Sequence, residues 1–127
     1  MKKVQPTYSV LIAEDAADVA WRLEELLAEW PALTLLPTAR TGMEVLTTLK
    51  AQRVDIALLD FQLPELNAAQ ILARLDAGDR PGLVIVHSAY DDPEFRTASL
   101  SAGAHHFLHK REIMSKLKPI LDGFLDR

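Results

Sequence analysis

Five polar residues directly follow short apolar runs, at positions where their side chains could act together on a phosphoryl group. Glu14 and Asp15 follow one run, and Asp60, Ser88 and Lys110 follow three others. Crowded carboxylates favour a divalent cation, and magnesium prefers oxygen ligands while leaving room for phosphate oxygens. A lysine and a hydroxyl add a positive charge and a hydrogen-bond donor for phosphoryl oxygens. The carboxylate of Asp60 is itself a candidate nucleophile, because it is ionised near neutral pH.

The apolar runs that precede these residues predict the strands of a sheet, because they are short, continuous and rich in branched side chains. Pro37 interrupts the second run, and proline cannot donate to a β-ladder, so we expect this strand at a sheet edge. The predicted strands cover residues 10–13, 33–39, 54–59, 83–86 and 105–108.

Amphipathic segments between the runs predict five helices. Gly78 is the expected C-cap of the third helix, and Asp92 the expected N-cap of the fourth. Pro119 should kink or split the last helix. The predicted helices cover residues 16–30, a segment that begins after Thr41-Gly42, and residues 67–77, 93–102 and 113–124.

Alternating strands and helices predict a parallel sheet covered by helices on both faces. In such a sheet the carboxyl ends of the strands share one edge, and ligands bind in the crevice outside that edge. The acids, the hydroxyl and the lysine that follow the strands should therefore gather in one place.

Composition narrows the functional classes further. The chain has 127 residues, which predicts a single domain over residues 1–127. The absence of cysteine excludes disulfides, thiolate zinc sites and cysteine nucleophiles. A net charge of −4 argues against direct nucleic-acid binding. Pro6 and polar neighbours stand where a signal peptide needs an apolar run, and no run is long enough for a bilayer, so we expect a cytoplasmic protein without membrane association.

These residues, in this order, resemble the receiver domain of bacterial two-component response regulators, and the resemblance covers nearly the whole chain. It implies a flavodoxin-like, doubly wound, five-stranded parallel sheet in the order 2-1-3-4-5 with five helices. The residues that carry it are Glu14-Asp15, Asp60, Leu63-Pro64, Ser88-Ala89, Phe107 and Lys110.

The resemblance also implies roles for individual residues. Asp60 would accept a phosphoryl group from a sensor histidine kinase or phosphotransfer protein, and Ser88 and Lys110 would hold the phosphoryl oxygens. Mg²⁺ would be bound by Glu14, Asp15, Asp60 and the backbone carbonyl of Gln62. The domain would then be a signalling receiver rather than an enzyme, catalysing only its own phosphorylation and dephosphorylation.

Further positions would set the response to phosphorylation. Ser88 and Phe107 would be switch residues that remodel the surface formed by the fourth helix, the fifth strand and the fifth helix. That surface would control an output domain or a partner, or form a homodimer. Gln62 and Tyr90 would tune the lifetime of the phosphoryl group.

Three positions depart from the common family pattern. Glu14 stands where aspartate is commoner, Ala68 where glycine is usual, and Arg111 where many members have proline. The proline difference bears on where the last helix begins and on the local switch geometry.

Four other interpretations compete with this one. A receiver-like interaction module would keep the fold without phosphorylation. An aspartyl-phosphate hydrolase of the haloacid-dehalogenase type would need an aspartate at Gln62, and a dinucleotide-binding enzyme would need a glycine-rich loop after the first strand. A zinc site built from His87, His105, His106 and His109 would lack a cysteine or a clear carboxylate partner.

The chain would act either as a stand-alone receiver or as part of a longer regulator.

Overall fold

The computed structural model describes residues 7–126. Pro6, on which the expectation about a signal peptide depends, lies outside the described residues. Strands and helices alternate along the chain in the order β1 (Tyr8–Ala13), α1 (Ala17–Leu27), β2 (Leu33–Leu35), α2 (Gly42–Ala51), β3 (Ile56–Asp60), α3 (Ala68–Ala73), β4 (Leu83–Ser88), α4 (Pro93–Ser101), β5 (His106–His109) and α5 (Ile113–Leu125). Short 3-10 turns at Ala77–Asp79 and Lys110–Glu112 precede β4 and α5. None of the helices in this part of the chain is long and apolar enough to cross a membrane.

The five strands are parallel and form one sheet in the order β2-β1-β3-β4-β5, which confirms the predicted fold class. β2 lies at the edge, as Pro37 predicted, but it ends at Leu35 rather than at Ala39. The proline interrupts the ladder, and pairing resumes only as a single bridge between Ala39 and Ala13.

Two apolar cores lie on opposite faces of the sheet, because successive side chains on each strand point to opposite faces. The first core packs the sheet against α2 and α3, with Val45, Leu49 and Leu72 among its buried residues. The second core packs the sheet against α1 and α5, with Leu27 and Leu117 among its buried residues. The central strand β3 is buried along its whole length, so Asp60 emerges from the interior of the molecule.

Helix α1 is shorter than its apolar periodicity predicts. It ends at Leu27, and the next residues form a tight turn in which the Trp30 amide donates to the Leu27 carbonyl. The indole of Trp30 still packs against the second core, and its Nε1 donates to Asp122 Oδ1 at 3.0 Å. The stripe of apolar residues therefore continues beyond the helix that it predicted.

Helix α3 ends at Ala73, so the prediction that it extends to Ala77 with Gly78 as C-cap is wrong. The guanidinium of Arg80 donates to the carbonyls of Leu72 at 3.0 Å and of Ala102 at 3.1 Å. Arg80 thus provides a partner for a carbonyl at the end of the helix, which another helical turn would otherwise have satisfied. Gly78 lies in the 3-10 turn that follows.

Strand β5 and helix α5 meet at Arg111, where many family members have proline. The Arg111 amide donates to His109 Nδ1 at 3.1 Å, and the His109 amide donates to Glu112 Oε1 at 2.9 Å. Proline has no amide hydrogen and could not make the first bond. Pro119 lies on the exposed side of α5, which continues through it to Leu125 rather than splitting there.

Candidate functional site

The site lies at the carboxyl edge of the sheet, where β1, β3, β4 and β5 end. Glu14 follows Ala13, the last residue of β1, while Asp60 pairs in register with His87 of the neighbouring strand. Side chains alternate along a strand, so Asp60 and His87 lie on the same face of the sheet as Leu58 and Ile85, which are two positions earlier. Leu58 and Ile85 pack in the second core. Ser88 follows the opposite row, the one that packs on the first core.

Lys110 joins two buried carboxylates. Its Nζ lies 2.7 Å from Glu14 Oε1 and 3.4 Å from Asp60 Oδ2. The Glu14 side chain is 0% exposed, the Asp60 side chain 8% and the Lys110 side chain 23%. Two backbone amides also support the carboxylates: Ala16 donates to Glu14 Oε2 at 3.1 Å and Gln62 donates to Asp60 Oδ1 at 3.2 Å.

The environment raises the pKa of Asp60 to about 6. Burial is the main cause, and the neighbouring charge of Glu14 adds to it, while Lys110 and the Gln62 amide act in the opposite direction. Burial lowers the pKa of Lys110, but its hydrogen bond to Glu14 and the charge of Asp60 outweigh this, so the pKa is raised overall. The lysine therefore carries the positive charge that holds two mutually repelling acids together.

His87 belongs to the same cluster, although it is far from both acids along the chain and its residue type alone does not predict this contact. Its side chain is fully buried, and neither ring nitrogen has a hydrogen-bond partner among residues 7–126. Burial, together with the charge of Lys110, lowers its pKa to about 3, so the imidazole is neutral. Cross-strand register was the signal that could have found it, because His87 immediately precedes Ser88 and faces Asp60.

The remaining predicted metal ligands are at the mouth of the site. Asp15 is exposed and does not belong to the cluster formed by Glu14, Asp60 and His87, whose potential ligand atoms all lie within 4.8 Å of one another. Gln62 is exposed too, and its backbone amide donates a hydrogen bond to Asp60 Oδ1. The acid that the structure brings closest to Asp60 is thus Glu14.

The predicted switch residues lie on the first-core side of the sheet. Ser88 is fully buried, and its Oγ accepts a hydrogen bond from the Tyr90 amide at 3.1 Å, whereas Tyr90 itself is 59% exposed. Phe107 is 5% exposed and already packs in the first core. The Arg96 guanidinium lies 5.5 Å from the centre of its ring, which joins α4 to β5.

The residue after Asp60 also contacts α4. Phe61 stacks on Phe95 with ring centroids 4.2 Å apart and an interplanar angle of 13°. Phe95 lies in the first turn of α4, three residues after its N-cap Asp92. A change in the backbone around Asp60 therefore has a direct route of contact to α4.

The donor set is suited to a divalent cation. Two buried carboxylates lie beside a neutral imidazole. Within residues 7–126, Lys110 is the cation that contacts Glu14 and Asp60 and balances their negative charge.

The histidines at positions 105 and 109 have other partners. His105 Nδ1 accepts from the Val84 amide at 2.9 Å and His109 Nδ1 from the Arg111 amide, so neither side chain joins this cluster.

Comparison with known proteins identifies the family to which this chain belongs. Residues 10–122 match the model of the response regulator receiver domain. An uncharacterised response regulatory protein of Vibrio cholerae is 30% identical over 112 residues, covering 87% of this chain and 42% of that protein. A protein-glutamate methylesterase/protein-glutamine glutaminase of Geobacillus kaustophilus is 31% identical over 105 residues, covering 82% of this chain and 30% of that protein.

Among solved structures, the signal receiver domain of the response regulator NarL from Mycobacterium tuberculosis superimposes with a TM-score of 0.84 at 27% identity, covering 97% of this chain and 100% of that domain. The chain belongs to the response regulator receiver domain family of two-component systems. It spans less than two thirds of the length of the curated relatives named above, which carry further sequence beyond the matched region.

Proposed function

We propose that this receiver accepts a phosphoryl group on Asp60 from a sensor histidine kinase or phosphotransfer protein. The observation that carries the proposal is the contact of Lys110 with two buried acids at the carboxyl edge of the sheet, at 2.7 Å from Glu14 and 3.4 Å from Asp60. A lone turn aspartate would need neither burial nor a lysine partner.

The chemistry is a phosphoryl transfer between side chains. An oxygen of the Asp60 carboxylate forms a bond to phosphorus as the bond from phosphorus to the donor's histidine nitrogen breaks, and the leaving imidazole takes a proton from solvent. Lys110 then exchanges one carboxylate contact for a phosphoryl oxygen, and Ser88 donates its hydroxyl hydrogen to another.

Mg²⁺ is the cofactor that the sequence predicts, with Glu14, Asp15, Asp60 and the Gln62 carbonyl as its ligands. The proposal is supported by the raised pKa of Asp60, which is caused mainly by burial and further by the charge of Glu14, because a cation beside both carboxylates would favour their ionised forms. When bound, the cation supplies that charge and neutralises phosphoryl oxygens during transfer. Gln62 and Tyr90, both exposed beside the site, would govern the access of water and hence the phosphoryl lifetime.

Phosphorylation would then shift the population between two states of the surface formed by α4, β5 and α5. Ser88 and Phe107 would report the phosphoryl group to this surface, since both belong to the same face of the sheet as α4. The surface would control an output domain or partner protein, or form a homodimer. We further propose that residues 1–127 form one cytoplasmic receiver domain that contacts neither membrane nor nucleic acid and catalyses only its own phosphorylation and dephosphorylation.

Incubation with acetyl phosphate and Mg²⁺, followed by mass spectrometry of the intact protein, tests the proposal. We expect one labile phosphoryl adduct on the wild type and none on Asp60→Asn. Asp76→Asn is a matched control, because Asp76 is exposed and its side chain makes no capping hydrogen bond. An unmodified wild type would favour an interaction module without phosphorylation, and turnover of a phosphomonoester would favour a hydrolase.

A further inference from the structure

His87 is a buried polar side chain without an evident structural role. It is 0% exposed, and both ring nitrogens lack a hydrogen-bond partner within the described residues 7–126. Burying an unsatisfied polar group is destabilising, so such groups in native proteins call for an explanation such as a catalytic role or a bound ion. An apolar residue would fill this position in β4 more stably.

The imidazole is directed into the acidic cluster. In-register pairing of β3 with β4 places His87 beside Asp60, and potential ligand atoms of His87, Asp60 and Glu14 all lie within 4.8 Å of one another. Neighbouring ligand atoms about 2.1 Å from one metal ion lie roughly 3.0–3.4 Å apart, so the three side chains would move together by at most about 1–2 Å to coordinate one ion.

We propose that His87 is a nitrogen ligand to a divalent first-row transition metal, such as Co²⁺, Ni²⁺ or Zn²⁺, in the site that it shares with Glu14 and Asp60. Imidazole suits these ions, whereas Mg²⁺ takes oxygen ligands almost exclusively. The inference deepens the proposed function and rests on it, because it names the class of metal that the acceptor site holds best. His87 thereby gives this receiver a preference that an all-oxygen site would lack.

Lys110 competes with such an ion for the same carboxylates. Its ammonium lies 2.7 Å from Glu14 Oε1 and 3.4 Å from Asp60 Oδ2, and its side chain is 23% exposed. Metal binding would displace the ammonium toward the mouth of the site, where an incoming phosphoryl group arrives. Lys110→Met should therefore increase the affinity of the site for Co²⁺, because the substitution removes the competing charge.

Titration of the metal-free protein with CoCl₂ and, separately, with MgCl₂ tests the assignment. We expect His87→Val to weaken Co²⁺ binding roughly tenfold or more, because the loss of a ligand should cost at least as much as the loss of a supporting contact. Mg²⁺ binding should be unchanged. His106→Ala is the matched control, since it removes a histidine of β5 outside the cluster and should leave both affinities at wild-type values.

A spectroscopic measurement on the wild type requires no substitution. A ring nitrogen bound to Co²⁺ gives the imidazole N–H proton a large contact shift in the NMR spectrum, which a metal held by carboxylates alone does not produce. That resonance should appear on addition of CoCl₂ and be absent in His87→Val.

The outcomes separate this inference from the proposed function. Equal Co²⁺ affinity in the wild type and His87→Val, or no contact-shifted resonance in the wild type, would overturn the role of His87 while leaving phosphorylation of Asp60 intact. A His87-dependent Co²⁺ site in a protein that forms no phosphoryl adduct would support the metal assignment and overturn the proposed function.

Discussion

At the scale of single residues, His87 and Asp60 are buried neighbours whose pKa values are shifted in opposite directions. Unfolded chains bind a proton at histidine near pH 6.5, but native His87, with a pKa of about 3, does not. Stability linked to His87 is thus present above pH 6.5 and is lost as pH falls toward 3. Native Asp60, with a pKa of about 6, has the opposite effect: its contribution is present below 3.8 and is lost as pH rises through 6.

His87→Val should therefore reduce the acid sensitivity of the metal-free protein. We expect its advantage over the wild type in unfolding free energy to be larger near pH 4.5 than near pH 7.5 by roughly 2 kcal/mol. Urea denaturation in the presence of a chelator, followed by circular dichroism, measures this difference. The same advantage at both pH values would show that native His87 titrates normally.

Asp60→Asn should have the opposite pH dependence. Its gain in unfolding free energy over the wild type should be larger near pH 7.5 than near pH 4.5 by roughly 1–2 kcal/mol, a range reduced for screening by solvent at the mouth of the site. The same denaturation series provides the measurement. A gain that grows toward acid pH would contradict the assignment of the raised pKa to Asp60.

At the scale of elements, the loop after Asp60 is held by the start of α2. The Gly42 amide donates to the Pro64 carbonyl at 2.9 Å, and a Cβ at Gly42 would lie only 2.4 Å from the Leu66 carbonyl oxygen. Glycine is required here because the two backbones approach each other so closely. The loop that carries Gln62 is thereby fixed beside the site.

Gly42→Ala should lower the unfolding free energy by roughly 1–3 kcal/mol, since backbone must move to admit the methyl group. It should also slow phosphorylation by displacing the loop. Gly78→Ala serves as the control, because a Cβ at Gly78 would have no neighbour within 4 Å in the described part of the chain. Equal stabilities of the two variants would show that the loop yields easily.

Gly123 lowers the helix propensity of α5. The residue is exposed within the helix, and no atom of residues 7–126 lies within 4 Å of a Cβ built there. Gly123→Ala should raise the unfolding free energy by about 0.5–1 kcal/mol, because alanine has the higher helix propensity. Thermal unfolding monitored by circular dichroism checks this, and a lower midpoint would indicate that α5 needs flexibility at this turn.

The strands and their common edge could be predicted from the sequence, whereas several element ends could not. Apolar runs such as the one before Asp60 report burial directly, and parallel topology then brings their ends together. The end of α3 depends instead on Arg80, which reaches back to Leu72 from beyond the helix. Such a long-range side-chain contact leaves no periodic signal in the local sequence.

In the candidate site, too, some residues can be predicted from the local sequence, whereas others depend on long-range contacts. Glu14, Asp60 and Lys110 are predictable, because each stands at the end of a strand and residue type alone suggests their chemistry. Residue type alone groups His87 with His105, His106 and His109 as a candidate zinc ligand. Its true neighbours lie across strands, and finding them requires the register that pairs Asp60 with His87. The exposure of Asp15 also depends on the exact residue at which β1 ends.

At the scale of the whole molecule, ligand binding at the sheet edge should stabilise the entire fold. A ligand that binds only the native state adds about 2.7 kcal/mol when its concentration is 100 times its dissociation constant. Mg²⁺ should thus raise the thermal midpoint of the wild type in a concentration-dependent manner, and most of that shift should be lost in Asp60→Asn. Equal shifts in both proteins would place the cation elsewhere.

Locating the phosphoryl adduct along the chain shows directly whether Asp60 carries the phosphoryl group. Treatment of the phosphorylated protein with borohydride reduces an acyl phosphate to the corresponding alcohol, so a modified aspartate becomes homoserine, which peptide mass spectrometry can locate. We expect homoserine at position 60 and at no other aspartate. Homoserine at another position, or none after treatment with acetyl phosphate and Mg²⁺, would contradict it.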